Sequence, residues 1–163
     1  MEANLIAPCG MNCGICSAYL AYKHEVKEKG LMLAYCKGCR PRNKQCAFLK
    51  KKCKTGLLLK GEVEYCYECP EYPCARLKHL DHRYITNYGE SFIENLDYIK
   101  ANGIDAFLSK ETEKWRCPEC GDVISCHNNI CYNCGLDKMK AGQLNTAGKV
   151  ISHNSKARRA ADG

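Results

Sequence analysis

At 163 residues the chain is the size of one ordinary domain or two small ones, which excludes a large multidomain machine. Fifteen cysteines stand against three Phe and one Trp, and charged residues make up 26% of the chain, so an apolar core alone looks thin for this length and something else must staple it. The formal net charge of +7 counts cysteines as neutral; a Zn²⁺ held by four thiolates contributes about −2, three such sites leave roughly +1, and most of the composition argument for nucleic acid goes with it.

The first residues, Met1-Glu2-Ala3-Asn4, lack a basic start and the first lysine is Lys23, so neither a secretory leader nor a secreted disulfide scaffold is expected. The uncharged stretch from Ala3 to Tyr22 has the length of a membrane span, but it carries Pro8, Gly10, Gly14, two Asn and three Cys, which argue against one. An odd cysteine count in a reducing cytoplasm points to thiolate metal sites instead.

Residues Cys16 to Lys29 predict a helix with an apolar stripe of Ala18, Tyr19, Ala21, Tyr22 and Val26, stopped by Gly30. Cys36 to Cys53 is punctuated by cysteine and basic, with Lys50, Lys51, Lys52 and Lys54 around Cys53, where cations offset thiolate charge. Pro73 suits a first helical turn, and Cys74 to Leu80 begin a helix that decays near Asn87 to Gly89. Ser91-Phe92-Ile93-Glu94 has the form of a capping box, followed by Phe92, Leu96 and Ile99 at helical spacing until Gly103. A shorter helical pattern runs from Ile104 to Trp115. The cysteine-free helices read as a layer packed between two metal-organised regions.

The expected organisation is a Cys-rich metal-binding domain over residues 1–88, a helical spacer packed on it over 89–115, a zinc ribbon over 116–137 and a basic, poorly ordered tail over 138–163. The fold class is a small metal-stabilised α+β protein, mainly short helices organised by Cys clusters, plus a C-terminal zinc-ribbon β-hairpin.

Cys117, Cys120, Cys131 and Cys134 carry the sharpest signal. Each pair has two residues between its sulfurs, so one tight turn aims both at one ion, and Gly121 and Gly135 let backbone N–H groups approach the sulfurs. The pattern predicts a four-thiolate Zn²⁺ site, with rubredoxin-like iron as the alternative. Four sulfurs close the coordination shell, so the default role is structural. Cys126 and His127 between the pairs read as a buried thiol and a surface imidazole. Cys36, Cys39, Cys46 and Cys53 form a second set able to wrap one tetrahedral ion; they open like the fungal two-zinc, six-cysteine DNA-binding module, but Lys54-Thr55-Gly56 stands where that module needs its next cysteine.

Cys9, Cys13 and Cys16 together with Cys66, Cys69 and Cys74 give six sulfurs, two more than one zinc uses. Four readings stay open: zinc on four of the six with the other two as buried thiols, an iron–sulfur cluster on one triplet plus a sulfur of the other, an exchange of partners between this set and the second, or no metal. Tyr65, Tyr67 and Tyr72 flank these sulfurs and suit core packing. His79 and His82 suit a solvated helix face. No Gly-rich phosphate loop, nucleophile elbow or His-Glu-x-x-His helix is present.

Cys9-Gly-Met-Asn-Cys13-Gly-Ile-Cys16, Cys36-Lys-Gly-Cys39 and Tyr65-Cys-Tyr-Glu-Cys69-Pro-Glu-Tyr-Pro-Cys74 resemble the prokaryotic cysteine-rich family catalogued as domain of unknown function 3795. The likeness extends through Tyr88-Gly-Glu-Ser-Phe-Ile-Glu-Asn-Leu96 and Trp115-Arg-Cys117-Pro-Glu-Cys120-Gly. It implies a cytoplasmic bacterial or archaeal metal-binding protein without an established activity. The function expected is zinc binding at structural sites, two to three ions in all, in an interaction or regulatory module and not an enzyme. The alternatives are an iron–sulfur protein of electron transfer or redox sensing using the Cys9 and Cys66 blocks, and a nucleic-acid binder working through the ribbon and through Lys156, Arg158 and Arg159. A protein partner is expected, with nucleic acid as the second choice, and no membrane or small-molecule substrate.

Overall fold

The structure, a computed structural model, describes residues 1–42 and 49–140. Its α-helices in chain order are α1 (Ser17–Lys23), α2 (Leu49–Lys52), α3 (Leu57–Lys60), α4 (Ala75–Tyr88), α5 (Phe92–Asn102), α6 (Ile104–Lys114) and α7 (Leu136–Lys140). Single 3₁₀ turns at Ala3–Leu5, Cys13–Ile15 and Cys66–Glu68 shape the cysteine-bearing loops.

The main core is built where α4, α5 and α6 pack in succession and the N-terminal loops lie on them. Leu77 of α4, Phe92, Leu96 and Ile99 of α5 and Phe107 of α6 meet Ile6, Met11 and Ile15 in one cluster. At Gly10, with φ of +87°, a Cβ would collide with the Phe92 carbonyl and come within 2.9 Å of Leu96 Cγ, so only glycine lets the loop lie against α5. Asn95 Nδ2, also on α5, donates to the Gly10 carbonyl at 3.1 Å.

α5 begins as its sequence predicts: Ser91 is the N-cap and its Oγ accepts from Glu94 N at 3.1 Å. A second cap comes from α4, because the buried carboxylate of Asp81 accepts from Phe92 N at 2.6 Å, Ile93 N at 3.0 Å and Ser91 Oγ at 3.0 Å. A charged side chain on the apolar face of α4 is stable there because it satisfies the orphan donors of the next helix. α4 itself starts later than the sequence suggests: Cys74 is its N-cap, and Pro73, after a cis peptide bond, lies outside it.

α1 is shorter than its periodicity predicts. Cys16 is the N-cap and the helix stops at His24, followed by Glu25 at φ 51°. Tertiary packing overrides the pattern: Val26 N turns back to the Ala21 carbonyl at 3.1 Å, which carries Val26 into a second core with Leu20, Ala21, Ile130, Tyr132, Leu136 and Met139. The C-terminal segment thus packs directly on α1, while α4 to α6 share the main core with the N-terminal loops and Cys126.

The expected α+β class with a zinc-ribbon β-hairpin is overturned. The described residues contain no strand; residues 116–131 make only two isolated antiparallel bridges, Arg116 with Val123 and Ile124 with Cys131. Backbone donors that would extend a ladder are used elsewhere. Gly121 N closes a turn on the Cys117 carbonyl at 2.9 Å, Asn129 N on the Ser125 carbonyl at 2.8 Å, and Cys126 N crosses to the Ile15 carbonyl at 3.0 Å. The protein is helix-dominated, and no described helix is long and apolar enough to cross a membrane. Of the segment expected as a tail, residues 138–140 belong to α7, where Met139 is buried, and residues 141–163, with Lys156, Arg158 and Arg159, lie outside the described residues.

Candidate metal centre

Two short turns bring Cys117, Cys120, Cys131 and Cys134 together. Their sulfurs all lie within 4.8 Å of one another, with 3.6 Å between those of Cys117 and Cys134 and 3.5 Å between those of Cys120 and Cys131. A tetrahedron of sulfurs with a metal–sulfur distance near 2.3 Å has edges of about 3.8 Å, so the four thiols fit a single ion of that size.

Backbone donors aim at the sulfurs. The Asp122 N–H points at Cys120, and those of Asn133 and Cys134 point at Cys131. The two glycines shape the turns: Gly121 takes φ of +76°, and at Gly135 a Cβ would stand 2.6 Å from the Cys131 carbonyl oxygen, whose bond to Gly135 N (2.8 Å) closes the second turn. Cys117 and Cys131 are buried while Cys120 is exposed. Hydrogen bonding from the Asp122 N–H brings the Cys120 thiol down to about 7, whereas burial raises Cys131. Cys134 is raised too, first by its contact with Cys120. Cys120 is thus favoured as the thiolate over Cys131 and Cys134, whose protons a bound cation would displace.

Charged and polar contacts tie the group to its surroundings. Lys23 Nζ and His24 Nε2 at the end of α1 reach Asp122 at 3.4 and 3.2 Å, and Lys138 Nζ of α7 reaches Glu119 at 3.7 Å. Asp122 was invisible as a site residue in the sequence, because its partners lie about a hundred positions earlier.

The other expected ligands are not gathered to that degree: among the described residues the C-terminal four form the one group of His, Cys, Asp or Glu donors close enough to hold an ion. In the set Cys36, Cys39, Cys46 and Cys53, Cys46 lies outside the described residues, and Cys53 instead shares a cavity with Cys66, Cys69 and Cys74. Cys39 N donates to Cys13 Sγ at 3.4 Å, so members of the two expected sets stand beside each other. Cys9 is buried in the main core.

Around the sulfurs, Tyr65 stacks on Tyr67 at 5.4 Å under the Arg40 guanidinium, and Tyr72 Oη donates to Asp97 at 2.7 Å, as packing residues do. His79 and His82 are exposed. His127 differs from its expected surface position: its Nδ1 accepts from Ser17 N at 3.2 Å, its ring meets Tyr88 edge-on at 4.6 Å, and burial lowers its pKa. Cys126 beside it is buried, and burial raises its thiol.

The first two cysteine blocks, the Cys66 block and the start of α4 are the part of the chain that carries a family signature. Residues 5–79 match the family described as "Protein of unknown function (DUF3795)". The match ends within α4, so the likeness read at Tyr88–Leu96 and at Trp115–Gly121 lies beyond it, as does the C-terminal centre. No curated protein and no solved structure matches the chain.

Proposed function

We propose that the chain is a zinc protein in which Cys117, Cys120, Cys131 and Cys134 hold a structural Zn²⁺, and that it serves as an interaction or regulatory module. The observation that carries this reading is the closeness of four donor sulfurs in a segment whose own backbone pairs only through isolated bridges. Four thiolates fill every position around a tetrahedral ion, so such a centre contributes folding energy and leaves no open position for a substrate. The absence of a hairpin ladder strengthens the case, because the ion then supplies the cross-link that the backbone does not.

Metal analysis of the purified chain tests it. Zinc is expected at this centre, and Cys120→Ser should remove one equivalent and lower the melting temperature, because the site needs all four sulfurs. Unchanged stoichiometry in Cys120→Ser would refute the ligand set. A red or brown protein that loses iron on this substitution would refute zinc as the ion.

A further inference from the structure

The cysteines outside the C-terminal centre regroup when the chain folds, and the groups differ from those suggested by sequence order. A cavity of about 150 Å³ lies between α2, α3 and the start of α4, and Cys53, Cys66, Cys69 and Cys74 all line it. The Thr55 hydroxyl stands between two of these sulfurs, 3.2 Å from Cys53 and 3.8 Å from Cys69. The N–H groups of Thr55 and Gly56 point at Cys53 Sγ, two and three positions on, as those of Asn133 and Cys134 do around Cys131. Cys66 and Cys69 repeat the two-residue spacing of the C-terminal pairs on a 3₁₀ turn, and Cys74 joins them from the N-cap of α4. Leu49, Leu58 and Leu77 supply apolar wall.

We propose that Cys53, Cys66, Cys69 and Cys74 are the ligands of a second metal centre, suited to a borderline or soft divalent ion such as zinc. Its sulfurs stand farther apart than those of the C-terminal four. The cavity leaves them room to close, since moving a thiol between staggered rotamers shifts its sulfur by roughly 3 Å.

From a different set of contacts we infer a third centre, of Cys13, Cys16, Cys36 and Cys39, whose sulfurs likewise stand farther apart than the C-terminal four. These are two further pairs with two residues between sulfurs, and the Cys39 N–H reaches Cys13 Sγ at 3.4 Å. Cys36 N donates to the Ala18 carbonyl at 3.0 Å, which sets the second pair beside the first turn of α1. The N–H groups of Ala18 and Tyr19 point at Cys16, which lies within electrostatic reach of both Cys13 and Cys36. Arg42 Nη1 donates to Cys36 Sγ at 3.6 Å, a cation placed where four thiolates and one dication leave about −2.

Both assignments stand independently of the C-terminal centre, whose equivalent is identified separately by Cys120→Ser. The test is the metal content of the full chain and its serine variants. Wild type should hold three equivalents. Cys53→Ser and Cys66→Ser should each lose one, and their double variant no more than one. Cys16→Ser and Cys36→Ser should behave alike, and Cys53→Ser with Cys36→Ser should lose two. If that last pair loses only one, Cys36 and Cys53 share an ion and the regrouping is overturned. Where a variant does not fold, alkylation of the wild-type chain during stepwise chelation gives the same answer. Cys53, Cys66, Cys69 and Cys74 should become reactive in one step and Cys13, Cys16, Cys36 and Cys39 in another; release of Cys36 together with Cys53 would overturn the proposal.

Discussion

The C-terminal four-sulfur centre and the N-terminal cysteine region use the same chemistry in opposite ways. In the first, all four sulfurs come from residues 117–134, two turns gather them, and the backbone between contributes only isolated bridges. In the second, sulfurs from distant blocks approach one another because α4, α5 and α6 hold the loops in place with a continuous apolar core. One region gathers its thiols by local geometry, the other by tertiary structure.

Stripping metal with a strong chelator under reducing conditions should separate the two most sharply. Residues 116–140 should lose structure, seen as lost hydrogen-exchange protection at the Ser125, Asn129 and Gly135 amides before those of α5, because a thiolate centre is folded only with its ion. If these amides and those of α5 lose protection together, the two regions are not held differently. Gly10→Ala attacks the other side: the Cβ has no room against α5 and φ is positive, so a loss of about 2–4 kcal/mol in denaturant unfolding is expected, with the C-terminal metal retained. Asp81→Ala leaves two backbone N–H groups and the Ser91 hydroxyl without their acceptor and should cost about 2–3 kcal/mol, again without loss of the C-terminal ion.

The smallest effect is a pH-dependent one. Glu111 is buried with Asn12 Nδ2 on its Oε2 at 3.0 Å; burial raises its pKa, the nearby Glu90 adds to this, and Lys114 and Lys110 oppose it. A raised carboxyl favours the folded state while protonated, and that contribution is lost as pH rises through the folded value. Glu111→Gln keeps the acceptor without the charge, so it should gain stability at neutral pH and nothing at a pH below the ordinary Glu range. An equal gain at both pH values would show that the carboxylate is not the cause.

These differences also mark what the sequence could disclose. The gathering of the four C-terminal sulfurs was legible because spacing and the following glycines act within a few residues, and α5 was legible because Ser91 and Gly103 bracket it. The hairpin was misread: two knuckles imply a turn at each end, but whether a ladder joins them depends on where Cys126 and Asn129 send their N–H groups, and those go to Ile15 and Ser125. The end of α1 was misplaced because Val26 is drawn into a core shared with residues a hundred positions later. Asp81 gave no sign of its role in the sequence, because nothing near it shows that it caps the next helix. The grouping of the N-terminal sulfurs is of the same kind, since nothing around Cys53 points to Cys66 until α2, α3 and α4 are folded around one cavity.

The loop at residues 125–127 ties the two regions together. The Cys126 N–H is taken by Ile15 and the His127 ring by Ser17, on either side of Cys16. Tension applied to the C-terminal end is therefore delivered to the first cysteine block through these two hydrogen bonds as well as through the packing on α1. A binding partner that grips the one end has a mechanical handle on the other.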